Sequence, residues 1–95
     1  MSKACDIPKK VKEEVWARDN GCCILCGSPR AMPNAHYIPR SKGGLGIAQN
    51  IVTLCLVCHS NFDNGLYRET YKNAIQAYLK AKYDGWNEAE LIYKK

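Results

Sequence analysis

The two stretches CILC (23–26) and CLVCH (55–59) decide the fold of this chain. Each contains a Cys-x-x-Cys pair, and His36 and Asn50 lie between the two pairs. Four soft thiolates from two such turns suit a closed, tetrahedral zinc site that stabilises a fold. Imidazole groups suit a harder metal and a reacting phosphate. The sequence therefore predicts a small zinc-stabilised fold with a second chemical site beside the zinc.

The predicted structural zinc site takes its four ligands from both pairs: Cys23, Cys26, Cys55 and Cys58. Two repeats of the same spacing favour a metal over four unrelated core cysteines. A Cys₃His variant that uses His59 is the alternative, although four cysteines already fill the site. Cys22 lacks the two-residue spacing and is expected to stand outside the site. Cys5 is expected to be free in an N-terminal tail.

Length and composition predict one domain over residues 1–95 with a thin core, for which a metal is a useful addition. The net charge of +5 fits a polyanionic partner. The start of the chain lacks the apolar run of a secretory leader, and no transmembrane stretch is visible. Six cysteines in this context predict a cytoplasmic protein, because thiols stay reduced there and bind metal.

Apolar periodicity and turn signals predict an α+β fold. A short antiparallel hairpin and the helix after it form the middle, and helices flank it at both ends. The apolar stripe of the longest helix is predicted to contain Leu66, Tyr67, Tyr71, Ile75, Tyr78 and Leu79. A last short helix is predicted to be capped by Asn87. The predicted helices are 9–20, 55–63, 66–83 and a short one after 87, and the predicted strands are 35–39 and 51–54.

The chain from residue 18 to residue 65 resembles the HNH endonucleases, whose core is the ββα-metal finger, also called the His-Me finger. The matching stretches are RDNGCCILCG (18–27), HYIPRSKGG (36–44) and NIVTLCLVCH (50–59). The resemblance implies a nuclease core at about 18–65, followed by C-terminal helices at about 66–93. The small size and the run YIPRSKGGLG suggest a phage or prophage-encoded member.

The resemblance also implies roles for three residues. His36 lies three residues before Pro39 and seven before the first of two adjacent glycines, as the family's general base does. Asn50 matches the asparagine that braces the loop and orients the base. His59 matches the family's ligand for the catalytic metal. Read without the family, His36 has the alternative of a structural histidine packed beside Tyr37.

The sequence departs from the family pattern at Ala35, where a metal-ligating Asp, His or Glu is common. Asp63 is the best substitute ligand, because it follows His59 by four residues and shares one helix face with it. Asn34 is a poorer substitute, because alternation along a strand is expected to turn its side chain elsewhere. The alternative interpretation of Asp63 is that it caps the end of a helix or is simply solvated. The catalytic metal is expected to be Mg²⁺, Mn²⁺, Ni²⁺ or Zn²⁺.

The function that follows is metal-dependent nicking or cleavage of DNA, with Arg40 and Lys42 clamping neighbouring phosphates. The alternative is an inactive, zinc-stapled DNA-binding or packaging accessory module, for which Ala35 is the argument. One active site cuts one strand, so double-strand cleavage needs a homodimer or two encounters. Phage packaging or restriction proteins are the further partners considered.

Overall fold

A computed structural model describes residues 3–93 of the chain. Its architecture is α+β, as predicted, with one two-stranded antiparallel sheet in the described part. The helices and strands are α1 Lys9–Arg18, β1 Ala31–His36, β2 Ile51–Cys55, α2 Leu56–Asn64 and α3 Arg68–Lys82. Short 3₁₀ helices lie at Lys3–Cys5, Arg40–Lys42, Ala48–Asn50 and Glu88–Leu91.

The hairpin pairs β1 with β2, from Ala31 opposite Cys55 to His36 opposite Ile51. The prediction of a first strand at 35–39 is wrong in its bounds, because β1 begins at residue 31 and ends at residue 36. The ladder is irregular between Met32 and Ala35. This interval contains a proline, which has no N–H for a regular ladder, and a bulge accommodates such a residue.

Helix α1 begins directly after Pro8, whose fixed φ suits a helix start. It ends before Asn20 and Gly21, which both have positive φ (57° and 65°), as the Asn-Gly signal predicts. The side chain of Val15 is fully buried and anchors α1 to the rest of the fold.

The buried pair Arg18–Asp19 ties the end of α1 to the hairpin and to α3. Arg18 Nε donates to Asp19 Oδ1 at 2.7 Å, and Asp19 also accepts from the N–H of Thr53 at 2.9 Å and from the hydroxyl of Tyr78. Burial raises the pKa of Asp19, but the bonds from Arg18 and Tyr78 outweigh burial and hold this pKa below its usual value. The pair therefore stays charged inside the fold.

Helix α2 closely follows its prediction, but α3 begins at Arg68, two residues later than predicted. The placement of Leu66 and Tyr67 in the apolar stripe is wrong, because 97% and 69% of their surface is exposed. Both lie in the turn between α2 and α3. Gly65 makes that turn possible, since a Cβ there would lie 2.4 Å from the carbonyl oxygen of Asn61.

The main core lies between the hairpin, α2 and α3, and the 3₁₀ helix Glu88–Leu91 closes it. The last helical segment was predicted as a helix capped by Asn87; it is a single 3₁₀ turn, and Asn87 Oδ1 accepts from the N–H of Ala89 at 2.9 Å. The core side chains include Ala35, Tyr37, Val52, Leu54, Phe62, Ile75, Leu79 and Leu91.

Cys5 is a free cysteine, as predicted, but it does not lie in a tail, contrary to its prediction. It is 2% exposed at the end of the first 3₁₀ helix. The N–H of Gly46 donates to the carbonyl of Ala4 at 2.9 Å, so this segment packs on the loop that follows β1. Within residues 3–93, no helix has both the length and the apolar character needed to cross a membrane.

Candidate metal centre and adjoining cavity

The four cysteine sulfurs that were predicted as zinc ligands converge. Their ligand atoms all lie within 4.8 Å of one another, and Cys26 Sγ and Cys55 Sγ are 3.6 Å apart. Sulfurs around a tetrahedral zinc are separated by roughly 3.8 Å, because each Zn–S bond is about 2.3 Å. The donor set and its spacing therefore fit a structural ion such as zinc. Cys22 and His59 are not part of this group.

Local hydrogen bonds shape the two turns that supply these sulfurs. The N–H of Gly27 donates to the carbonyl of Cys23 at 2.9 Å, and the φ of 78° at Gly27 closes the first turn. The N–H of Cys58 donates to Cys55 Sγ at 3.4 Å in the first turn of α2. Burial raises the pKa of Cys23, but backbone hydrogen bonds outweigh it and lower this pKa to about 7. A thiol of this kind is readily available as a thiolate ligand.

A cavity of about 520 Å³ lies beside the cysteine cluster. It brings together the predicted general base, His36, and the two predicted ligands of the catalytic metal, His59 and Asp63. They come from the end of β1 and from one face of α2. The cavity is also lined by Asn34, Arg40 and Arg68.

His36 is half-buried, and its Nε2 lies 2.9 Å from the carbonyl oxygen of Cys5. A carbonyl only accepts, so Nε2 carries the hydrogen and Nδ1 keeps the lone pair in the neutral ring. Burial lowers the pKa of His36, and the charges of Arg40 and His59 lower it further, while the bond to Cys5 raises it. The net pKa lies below its usual value, so the ring is neutral and able to accept a proton near pH 7.

His59 and Asp63 lie one turn apart on α2, with His59 Nε2 3.3 Å from Asp63 Oδ2. The side chains are 29% and 53% exposed, so a cation in the cavity has access to both. A nitrogen and an oxygen donor on one helix face form half of an ordinary divalent-metal site.

The side chains of residues 34 and 35 lie on opposite faces of β1. Ala35 is fully buried in the core and contributes nothing to the cavity. Asn34 and His36 are two residues apart on the strand and both line the cavity. The expectation that Asn34 turns away from the site is therefore wrong, because alternation places it with the base and not with Ala35.

Asn50 is fully buried at the start of the second strand. Its Oδ1 accepts from the N–H of Ile38 at 2.8 Å, and its Nδ2 donates to the carbonyls of Leu45 at 2.8 Å and Ile38 at 3.2 Å. Its own carbonyl accepts from the N–H of Tyr37 at 2.7 Å. One side chain thus holds both ends of the loop that connects the hairpin strands.

The two cations predicted to clamp phosphates lie in different places. Arg40 lines the His36 cavity and forms an ion pair with Asp6. Lys42 lines a neighbouring cavity instead, together with Arg68. Arg68 and the carbonyl of Cys5 were not among the predicted site residues. The Cys5 carbonyl reaches His36 only through a contact between residues 31 positions apart, and no motif marks Arg68 as a cavity residue.

Comparison with known proteins adds a family assignment to this geometry. A family profile described as HNH endonuclease matches residues 23–75, which is more than half of the chain. The chain is also 33% identical over 58 residues to a protein of Nostoc sp. (strain PCC 7120 / SAG 25.82 / UTEX 2576) named Anaredoxin. That alignment covers 60% of this chain and 76% of the Nostoc protein. The profile match spans all four clustered cysteines and the predicted site residues His36, Asn50, His59 and Asp63.

Proposed function

The chain belongs to the HNH endonuclease family, and from that premise we propose that it hydrolyses phosphodiester bonds of DNA in a metal-dependent reaction. The observation that carries this proposal is the shared cavity of His36, His59 and Asp63. A base and a pair of metal donors must face the same phosphate for hydrolysis to occur. The cysteine cluster contributes no residue to this cavity, and its proposed role is to stabilise the fold.

His36 acts as the general base. Its Nδ1 takes a proton from water, and the resulting hydroxide attacks the phosphorus. The bond from phosphorus to the 3′-oxygen then breaks, and that oxygen leaves with a proton from solvent. The bond from Nε2 to the Cys5 carbonyl supports this role, because it selects the tautomer and stabilises the imidazolium that forms.

His59 and Asp63 are the proposed ligands of the catalytic cation, and Asn34 is a further oxygen donor in the same cavity. A bound Mg²⁺, Mn²⁺, Ni²⁺ or Zn²⁺ supplies positive charge that neutralises the phosphate and stabilises the leaving oxygen. Asp63 and Asn34 together take the place of the ligand that Ala35 does not supply. Asn50 positions the loop after His36 through its three side-chain bonds.

Arg40 and Lys42 are proposed to bind phosphates of the DNA strand on either side of the cleaved bond. The net charge of +5 supports mostly sequence-independent affinity that weakens as salt is added. We place the reaction in the cytoplasm, of a bacterium or of a phage-infected cell, because reduced thiols persist there. With one cavity of this kind per chain in the described part, each encounter nicks one strand, and a homodimer or a packaging or restriction assembly makes a double-strand break.

The test is nicking of supercoiled plasmid by zinc-loaded protein, with each of the four metals and without added metal. We expect metal-dependent nicking that His36→Ala reduces at least about 100-fold. Lys80→Ala, an exposed change outside the cavity, serves as the control. Zinc content and the unfolding transition are measured for each variant, so that loss of the fold is separated from loss of the base.

The second candidate function is an inactive DNA-binding or packaging module, and the burial of Ala35 is the observation that favours it. A position that faces the core cannot supply a metal ligand. A folded, zinc-loaded protein that binds DNA but nicks it with none of the four metals would establish this alternative. Nicking that disappears with His36→Ala would eliminate it.

A further inference from the structure

A second cavity, of about 200 Å³, adjoins the cavity of His36. The two share three lining residues, Pro39, Phe62 and Arg68. Arg68 is the first residue of α3 and stands where the two cavities meet. Two groups bound in the two cavities would therefore lie next to each other, with Arg68 between them.

The second cavity is lined by three cations, Lys42, Arg68 and Lys72, and by one carboxylate, Glu88. Glu88 already accepts hydrogen bonds from the hydroxyl of Tyr37 and from Gln76 Nε2. Within residues 3–93, none of the three cationic side chains forms a hydrogen bond or an ion pair with another residue. The three cations of this cavity are therefore not neutralised by ion pairs within the described part of the chain, and they are able to bind an anion.

Unpaired cations around an apolar wall suit the sugar–phosphate backbone of a nucleic acid. Pro39 and Phe62 form part of the wall, and Arg68 and Lys72 lie one turn apart on α3. Tyr37 is 2% exposed, so its ring is not available for stacking on a base. Contacts between these cations and backbone phosphates would not depend on the base sequence.

We propose that the second cavity is a subsite for the phosphate next to the one that His36 acts on, with Arg68, Lys72 and Lys42 as its ligands. The proposal rests on the proposed nuclease function, since it extends the path of the same strand. Arg68 contacts both phosphates, because it borders both cavities. Arg40, which lines only the first of the two cavities, binds the strand on the other side of the cleaved bond.

The test compares Arg68→Ala/Lys72→Ala with Lys80→Ala, which removes a charge from the same helix but borders neither cavity. Fluorescence anisotropy measures binding of a labelled single-stranded oligonucleotide to the full chain over a salt series, without added divalent metal. We expect the double variant to bind about tenfold more weakly. Its log–log salt slope should fall by about 1.4, since each lost phosphate contact removes about 0.7 for a single strand.

The Lys80→Ala control should change affinity less than about twofold. A double variant that binds with the affinity and salt slope of the control would overturn the subsite. Plasmid nicking by the wild-type chain decides the nuclease function separately. If the double variant binds more weakly and the wild type does not nick plasmid, the phosphate-binding cavity is supported and the nuclease function is rejected. Nicking by the wild type, with unchanged binding in the double variant, removes the subsite alone.

Discussion

Asn50 and Thr53 are both fully buried polar residues near or within β2, but their hydrogen bonding differs. Asn50 uses its whole carboxamide, with one accepted bond and two donated ones. The hydroxyl of Thr53 finds no partner among the described residues. A buried polar group costs stability unless it is paired, so the two residues contribute in opposite directions.

Thr53→Val should raise the free energy of unfolding by about 1 kcal/mol, because it removes an unpaired hydroxyl and keeps the side-chain shape. Urea denaturation of the zinc-loaded protein measures the change. Thr70→Val, at an exposed position of α3, should alter stability by less than about 0.5 kcal/mol. A less stable Thr53→Val protein would show that this hydroxyl is paired.

His36 should give the cleavage rate an acid limb that lies below pH 6.5. The rate requires the neutral ring and falls as pH drops through its pKa, which burial and the charge of Arg40 lower. Arg40→Ala should therefore move the acid limb towards higher pH. A pH profile of kcat/KM for both proteins checks the sign. If the acid limb stays in place or moves to lower pH in Arg40→Ala, His36 is not the general base.

At the scale of elements, two sets of hydrogen bonds fix the loop between the strands. Asn50 accepts from the N–H of Ile38 within the loop, and the N–H of Gly46 donates to the carbonyl of Ala4 in the N-terminal segment. Gly46 allows this close approach, because a Cβ there would lie 1.9 Å from the carbonyl oxygen of Asp6. The same N-terminal segment supplies the carbonyl that His36 contacts.

Gly46→Ala should lower the free energy of unfolding by about 2 kcal/mol, because the added methyl forces the N-terminal segment away from the loop. Chemical denaturation measures this loss, with Ser41→Ala, an exposed change in the same loop, as the control. Imidazole ¹⁵N NMR should also show a mixed tautomer at His36, since the Cys5 bond is broken. An unchanged tautomer would mean that the segment does not depend on Gly46.

At the scale of the whole molecule, the cysteine cluster joins three parts of the fold. Cys23 and Cys26 lie in the turn after α1, Cys55 ends β2 and Cys58 lies in the first turn of α2. An ion bound by all four links these parts directly. A chain of 95 residues has a small core, so such a link contributes a large share of the stability.

Cys58→Ser should lose the bound zinc and lower the free energy of unfolding by at least about 3 kcal/mol, because one of four ligands is removed. Cys22→Ser is the matched control, since Cys22 neighbours a ligand but stands outside the cluster. Elemental analysis should find one zinc per chain in the wild type and in the control. Equal zinc content in both variants would contradict the assignment of the four ligands.

Much of the fold and part of the candidate site were predictable from the sequence, wherever the signal is local. The four clustered cysteines follow from two spacings of three residues, and the His59–Asp63 contact follows from one turn of a helix. The end of α1 follows from Asn20 and Gly21. Such features depend on backbone geometry over a few residues. The roles assigned to the site residues and the division into one domain stay predictions.

The sequence alone determined the cluster of four cysteines and the helix that carries His59, because short spacings encode them. The tertiary structure decided the rest. Only the folded chain brings the Cys5 carbonyl to His36, 31 residues away, and sets Arg68 between two cavities. The irregularity of the ladder between Met32 and Ala35 also depends on pairing with a distant strand. Contacts between remote segments arise from packing of the whole chain, and no local pattern encodes them.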